Sequence, residues 1–374
     1  MKKRFFSVVL FVLLRICGAG ELCEADELRV PSHKAYGVAV MGREILRIDE
    51  NGNFIELSKE DFDGHPVWGG ISDIKSDGQA MVKIPKCYIK RGEAPAGSDA
   101  DGADCWWLSA EPLPGFKLAP AFLRFDGSEM DYFLLGKYEA CFTDGGELLG
   151  SRGGKVSAVG LSWDEAKTKT SSRGAGWHIW DIQELAVIQY LALIELCSFD
   201  VQEKISQGPT QKPLTGTTNV VYRGIHGLWR HVWQLIDGID SANARTIRLF
   251  SEDGKRRLMN TGIPYGNYKS YPKRFRRGGL FDSVFIADRV TPFIDDQSID
   301  NFIGEALCPD GQFMWQAYPT AAYVCDDWGG GSFGGLWTIR LYDFSKTNAA
   351  GYDDIGTRIA KRCTADELFL RASK

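Results

Sequence analysis

The chain contains 374 residues, 44% of them hydrophobic and 25% charged, which excludes a disordered protein and allows a substantial core. Its formal net charge of -5 argues against general binding to nucleic-acid backbones, because that binding depends on positive charge. Its 42 glycines and 11 tryptophans are more than a helical bundle needs, and they favour an α+β or β fold rich in loops.

The N-terminus, residues 1–20, has the pattern of an export signal. Three cations, Lys2, Lys3 and Arg4, precede an apolar run at residues 5–14 that is too short to span a bilayer. Two processing routes stay open: cleavage at the small residues 18–20, or lipid attachment at Cys17. Either route predicts an exported protein at the cell surface or outer membrane, with membrane contact only through such a lipid.

Short strands separated by turns are predicted for the first third of the chain. Residues 35–48 give two strands that meet near Met41 and Gly42, and Asn51-Gly52 is a turn signal. A further strand at residues 80–89 is interrupted at Pro85. Residues 91–104 are a polar loop rich in Gly, Ala and Asp, which we interpret as an exposed insertion before a strand that starts at Cys105.

Two helices are predicted in the middle of the chain. Ser162 and Glu165 have the spacing of a capping box at the start of the first helix. Asp181 can cap the second, whose apolar residues follow at helical spacing to about Cys197. From residue 207 the chain returns to Gly, Pro and Thr-rich connections with short strands.

One basic stretch, residues 271–279, interleaves cations with two aromatics. This pattern is compatible with binding to an anionic strand or glycan by charge and stacking. It is a single short patch on an acidic protein, so we favour a loop that leads into a buried strand at residues 280–286. We therefore predict no nucleic-acid partner.

The cysteines and the usual catalytic motifs give no indication of an enzyme. Seven cysteines follow residue 24 without a CxxC pair, and we predict that they are mostly buried small side chains, with one or two disulfides left open. The sequence contains no GxxxxGK[ST] or HExxH motif. His226 and His231 lack a third ligand at convincing spacing. We predict no catalytic residues, no metal and no cofactor.

An ordered set of motifs carries a family resemblance. The motifs are FLLGKYE at 133–139, LSWDEA at 161–166, Gly176-Trp177 before the Asp181 helix, GLWRHVWQLID at 227–237, and GGSF at 330–333 with GTR at 356–358. In this order they resemble the formylglycine-generating-enzyme branch of the C-type lectin fold. Residues 81–90 and 114–120 are similar to variable proteins of diversity-generating retroelements, of the treponemal type. The resemblance spans about residues 35–363.

The resemblance implies a C-type lectin-like α+β domain at residues 30–363, with loop-rich elaborations, and a variable region at about 326–362. In such proteins a reverse transcriptase copies a template with errors at adenines, and the copy replaces the C-terminal stretch of the gene. The implied function is binding of variable protein or glycan ligands on host or microbial surfaces. The implied ligand contacts are Trp328, Phe333, Trp337, Thr338, Arg340, Tyr342, Phe344, Tyr352, Asp353 and Asp354.

The residue types of this region suit recognition, because Tyr and Trp give large contact areas with few rotatable bonds and Arg adds a planar donor group. A strand at 337–344 would alternate, with Ile339 and Leu341 on the buried face and Thr338, Arg340, Tyr342 and Phe344 on the other. Ile355 and Ile359 are also predicted to be buried. Trp337 is in phase with the buried pair. Both packing and ligand contact therefore stay open for Trp337.

An enzyme of the formylglycine-generating type with altered chemistry is the alternative. The sulfatase-maturing enzymes carry a cysteine pair for a copper site near the C-terminus, but no cysteine lies between Cys325 and Cys363 here. The relatives' GNVWEW motif also corresponds to RHVWQL at residues 230–235, which lacks a carboxylate and an amide that could ligate calcium. The resemblance therefore implies the fold without the catalytic residues.

Overall fold

The computed structural model describes residues 33–42, 44–199, 201–206, 219–229, 232–242, 246–264, 273–275, 277–285, 287–292, 315–320, 335–343 and 355–363. Within these ranges the chain forms helices and several small sheets that are mostly antiparallel. The predicted α+β class is confirmed.

The elements follow one another along the chain as listed here. The N-terminal part contains β1 (Ala35–Met41), β2 (Glu44–Ile48), α1 (Lys59–Gly64), β3 (Ser72–Ser76), β4 (Gln79–Pro85), β5 (Tyr88–Glu93), β6 (Asp104–Ser109), β7 (Lys117–Leu118), β8 (Tyr132–Gly136), β9 (Ala140–Thr143) and β10 (Leu148–Ser151). The middle part contains α2 (Trp163–Ser171), β11 (Trp177–Ile179), α3 (Ile182–Leu196), α4 (Val201–Lys204), β12 (Val221–Tyr222), β13 (Ile225–His226), β14 (Trp233–Leu235), β15 (Ile239–Ala242), β16 (Thr246–Phe250) and β17 (Leu258–Pro264). The C-terminal part contains β18 (Lys273–Phe275), β19 (Ala287–Pro292), β20 (Trp315–Thr320), β21 (Thr338–Asp343), β22 (Ile355–Thr357) and β23 (Ile359–Arg362). Short 3₁₀ turns lie at Pro120–Phe122, Asp144–Gly146, Gly279–Asp282 and Gly335–Trp337.

The first sheet has the strand order β2-β1-β6-β5-β7. It confirms the predicted pair of strands at residues 35–48, which turn at Gly42 with a φ of 64°. The predicted loop at 91–104 is shorter than expected, because β5 continues to Glu93 and β6 begins at Asp104. It is also not a purely exposed insertion. Its alanines at 94, 100 and 103 are buried in a small cluster with Trp107.

The second sheet has the order β11-β23-β8-β4-β3, so the last strand of the described chain lies in its interior. The β3–β4 hairpin turns at Asp77-Gly78, whose φ angles of 47° and 73° suit the Asp-Gly turns that match strand twist. Gly176 precedes β11 with a φ of 79°, and a Cβ there would lie 2.1 Å from the Arg362 carbonyl oxygen. Glycine at 176 therefore permits the close approach of β23.

The third sheet has the order β17-β16-β15-β20-β21. Smaller pairs are β9 with β10, β12 with β13 and β18 with β19, all antiparallel, and β14 with β22, which is parallel. The sequence predicted a buried strand at residues 280–286, which is wrong. Gly278 and Gly279 have φ angles of 93° and 59° and start a 3₁₀ turn, so the next strand, β19, begins only after it.

Helix α3 is the centre of the core. The Asp181 carboxylate accepts from the amides of Gln183 and Glu184, which confirms the predicted cap, and residues 182–194 are all buried. A helix that is buried on every side must be apolar all round, as this one is apart from a few polar residues. The capping box of Ser162 at the start of α2 is also confirmed.

The described cysteines support the prediction of buried small side chains. Cys87, Cys105, Cys141 and Cys363 are buried, Cys197 is half-buried, and none of these five forms a disulfide. Burial raises the pKa of the Cys105 thiol to about 12, and it also raises the pKa of Cys87. Such thiols stay protonated and unreactive at neutral pH.

No helix in the described ranges is both long enough and apolar enough to cross a membrane.

We expect truncation of the interior strand to destabilise the fold strongly. Ile359 is fully buried and pairs with Ile179, so Ile359→Ala should lower the free energy of unfolding by about 2 to 4 kcal/mol through the cavity it leaves. Val156→Ala is the control, because that side chain is 60% exposed and its loss should change stability by about 0.5 kcal/mol or less. Urea unfolding followed by tryptophan fluorescence measures both. Equal effects would contradict an interior position for β23.

Candidate ligand-binding site

The structure describes only part of the predicted ligand-binding region. Outside the described residues lie Cys17, Trp328, Phe333, Phe344, Tyr352, Asp353 and Asp354. The others follow one another closely: Trp337 ends a 3₁₀ turn, and Thr338, Arg340 and Tyr342 lie on β21. The structure therefore describes the two ends of this region and the backbone of β21.

Trp337 fixes the upstream end of the region in the core. Its side chain is 2% exposed, and its ring lies 5.1 Å from that of Phe199 and 5.2 Å from that of Phe285. The indole Nε1 donates to the Phe199 carbonyl oxygen at 2.6 Å. Gln189 of α3 donates to the carbonyl of the preceding residue, Leu336, at 2.9 Å.

These contacts correct two sequence expectations. Trp337 was included among the ligand contacts, but its burial and its bond to Phe199 give it the packing role that its phase with Ile339 and Leu341 also allowed. It belongs to the 3₁₀ turn and not to the strand, which covers Thr338–Asp343. A buried indole with a satisfied N–H cannot form part of a contact surface.

Strand β21 pairs with β20 along its whole length. The register matches Thr338 with Thr320, Arg340 with Tyr318 and Tyr342 with Gln316. Directly opposed positions share one face of a sheet, because side chains alternate with a period of two. The backbone therefore assigns the three polar positions of β21 to one face, as the sequence predicts, and Ile339 and Leu341 to the other.

The chain is fixed again at β22. Ile355 is 4% exposed, and the strand pairs in parallel with β14. The Thr357 hydroxyl is buried and donates to the Leu235 carbonyl at 2.9 Å. The predicted burial of Ile355 and Ile359 is confirmed.

Arg358, between β22 and β23, is fully buried and bonds three separate segments. Its guanidinium donates to the carbonyls of Gly136 at 2.8 Å, His226 at 2.6 Å and Gly227 at 2.9 Å, while its Nε donates to Gln234 Oε1 at 3.0 Å. Burial lowers the pKa of Arg358 to about 10, which still leaves it charged at neutral pH. Gln234 thus serves as a hydrogen-bond partner of this arginine.

Arg362, at the end of β23, pairs with the start of α3. It lies 2.7 Å from Asp181 Oδ2 and 3.3 Å from Glu184 Oε1, and it also donates to the Leu123 carbonyl at 2.7 Å. His178 on β11 contacts the same Glu184 oxygen at 2.8 Å. All four side chains are buried, so each charge depends on the others for solvation.

The electrostatics of this buried cluster follow from its composition. Burial alone would raise the pKa of Glu184, but His178 and Arg362 outweigh burial and hold that pKa at about 2. Burial also acts to lower the pKa of Arg362, while Asp181 and Glu184 raise it overall. The carboxylate and the guanidinium are therefore both charged, and each stabilises the other.

The same cluster has the donor atoms of a metal site, but they are already in use. Ligand atoms of His178, Asp181 and Glu184 lie within 4.8 Å of one another. However, Asp181 Oδ1 accepts from two backbone amides, Glu184 Oε2 accepts from the Asp181 amide, and Arg362 donates to Asp181 Oδ2 and Glu184 Oε1. A positive charge thus already occupies the position a cation would take, and we assign the cluster a structural role.

The sequence predicted the helix start to which Asp181 and Glu184 belong, but not their pairing with Arg362. The Asp181–Glu184 spacing marked a helix start, and the structure confirms it. The partner, Arg362, lies far away in the sequence, and nothing in its local pattern distinguishes it from a surface arginine.

The two ends of the region together define its geometry. Trp337 and Ile355 are both buried, and between these points the structure describes only the backbone of β21. Comparison with protein-family models and with curated protein sequences finds no match for this chain. A functional proposal therefore rests on the buried residues at these two ends, on β21 between them and on the sequence.

Removing the buried arginine should cost far more stability than removing an exposed one. Arg362→Met removes the buried guanidinium that pairs with both Asp181 and Glu184, which should lower the free energy of unfolding by about 3 to 5 kcal/mol. Arg277→Met is the matched control, because Arg277 is 43% exposed and its pair with Glu93 is worth about 1 kcal/mol or less. Chemical denaturation measures both variants.

A second variant separates charge from packing at the same position. Adding Glu184→Gln to Arg362→Met removes one uncompensated carboxylate, so part of the lost stability should return. If Arg362→Met costs no more than Arg277→Met, the cluster does not hold β23 in place.

Proposed function

We propose that this chain is an exported or surface-displayed ligand-binding protein whose C-terminal region is diversified by a retroelement. In this proposal the α+β fold is a C-type lectin-like domain of the formylglycine-generating-enzyme-like branch. The observation that carries the proposal is the pair of anchors around residues 338–354. Trp337 on one side and Ile355–Arg362 on the other are held by buried contacts with Phe199, Gly136 and Asp181, which lie outside this segment.

Diversification requires this separation of scaffold and surface. A segment whose residues change from copy to copy must not supply the energy that folds the domain, since core substitutions commonly cost several kcal/mol. In this region of the chain, the described buried hydrogen bonds are made by the two anchors, Trp337 and Ile355–Arg362. The proposal requires that the contact residues between them can change in identity while the fold is kept.

The proposed activity is recognition without catalysis. Ligands are proteins or glycans on host or microbial surfaces, contacted by the polar face of β21 and by the neighbouring predicted residues. Arg340 and Tyr342 are residue types that dominate binding energies in many interfaces. The proposed location is the cell surface or outer membrane, with Cys17 as the lipid attachment site if the lipoprotein route is used.

The gene should carry the signature of diversification. We expect a near-identical repeat of the sequence encoding residues 326–362 close by, next to a reverse-transcriptase gene, with differences confined to adenines. The differences should fall in codons of the segment between the anchors and spare those of Trp337, Arg358 and Arg362, whose buried contacts tolerate no exchange. Sequencing the flanking DNA tests this, and the lack of both repeat and reverse transcriptase would contradict the proposal.

Substitutions at the anchors should reduce stability, whereas substitutions at the proposed contact residues should change binding. Trp337→Ala should lower the free energy of unfolding by about 3 to 5 kcal/mol, because it removes a buried indole. Arg340→Ala and Tyr342→Ala should change it by about 0.5 kcal/mol or less and alter binding instead. Thermal melting is measured beside a screen against purified host surface proteins and an oligosaccharide array. If the two β21 variants melt as badly as Trp337→Ala, their side chains are core and the proposal fails.

A further inference from the structure

One row of polar residues crosses the whole third sheet and reaches β21. Cross-strand pairing connects Asn260 on β17 with Arg248 on β16, Arg248 with Asp240 on β15, Asp240 with Gln316 on β20, and Gln316 with Tyr342. Each pair is directly opposed, so all five positions fall on the same face of the sheet. Tyr342 therefore has a line of neighbours that lies far from the C-terminal region in sequence.

The members of this row on β15, β16 and β17 are accessible to solvent. Asn260 is exposed, and the side chains of Arg248 and Asp240 are 29% and 14% exposed. The alternate positions of the same strands, Ile239, Ile247 and Leu249, are buried in the core. The row thus belongs to the outer face of the sheet, while the opposite face of β15 and β16 packs inward.

Arg248 and Asp240 satisfy each other's charge. Arg248 Nε lies 2.7 Å from Asp240 Oδ1, and its terminal nitrogen lies 2.5 Å from Oδ2. This two-point pairing fixes both side chains and leaves the centre of the row with no net charge. The other members of the row are two amides and a phenol, which are also neutral.

We propose that this row is a constant half of the ligand-binding face, and that it contacts a neutral, polyhydroxylated ligand, chemically a glycan. This inference rests on the proposed function and extends it. Strand β21 supplies the positions that vary between copies, while Asn260, Arg248 and Asp240 supply contacts that stay the same. Amide, phenol and paired charged groups all offer hydrogen-bond partners to hydroxyl groups without requiring a charge on the ligand.

The dimensions of the face favour a glycan over a protein partner. Five strands at sheet spacing span about 19 Å, and a five-residue strand such as β16 is about 17 Å long, so the face covers roughly 300 Å². Stable protein interfaces bury about 800 Å² on each partner and centre on apolar or aromatic anchors. The described centre of this row is an ion pair instead. A short chain of sugar rings suits both its extent and its polarity.

The test compares two neighbouring residues of one strand. Asn260→Ala removes an amide from the row, whereas Met259→Ala changes a residue that is 45% exposed but falls on the opposite face, paired with Leu249. The full-length proteins are applied to an array of neutral oligosaccharides and their sialylated counterparts, and affinities are measured for each glycan bound. Tyr342→Ala is measured in parallel.

We expect the wild type to bind at least one neutral oligosaccharide, with a loss of about tenfold or more for Asn260→Ala and no change for Met259→Ala. Asn260 Oδ1 also accepts from the Gly262 amide at 2.8 Å. Asn260→Asp keeps that acceptor, so it replaces the alanine variant if the latter melts early, and it should weaken binding as well.

Other outcomes overturn the inference in distinguishable ways. Loss of glycan binding in Tyr342→Ala but not in either Asn260 variant would leave the proposed function standing and remove the constant row. Binding to sialylated glycans alone, or to proteins alone, would exclude a neutral glycan as the ligand. Binding that no variant reduces would count against both the row and the proposed role of β21.

Discussion

The pairing of Arg362 with Asp181 and Glu184 is the contact on which the rest of the structure depends. It joins the last strand of the second sheet to the first turn of the central helix, and all three side chains are buried. Buried charges are tolerated only when each has a partner, since an isolated one would lose its solvation without compensation. The helix start therefore has a stable position only when β23 is in place, and the strand only when the helix has formed.

The mutual dependence of β23 and α3 constrains the path of the C-terminal region. Because β23 lies inside a sheet, the chain must return to the core after Trp337, whatever residues connect the two points. Lengthening such a connection costs little, since loop-closure entropy grows only with the logarithm of length. The two ends of the connection are thus fixed by buried contacts, and a change in the length between them has a small entropic cost.

The sequence predicted what local chemistry decides. The caps at Ser162 and Asp181, the hairpin at residues 35–48 and the burial of Ile355 and Ile359 all follow from residues close together in the chain, and the structure has each of them. One local signal was misread, and the rest of what the sequence could not predict depends on distant partners. Residues 280–286 read as a strand by composition, but the two preceding glycines turn the backbone into a 3₁₀ turn.

Trp337 shows the same limit within the candidate site, because its burial depends on Phe199 and Phe285, which no periodicity in the C-terminal stretch reveals. The polar row is a third case, since its members come from five strands and meet only through register. Its ion pair is complete within β15 and β16, and β21 is held to β20 by main-chain bonds. A change at Tyr342 therefore leaves in place both the ion pair of β15 and β16 and the main-chain pairing of β20 with β21.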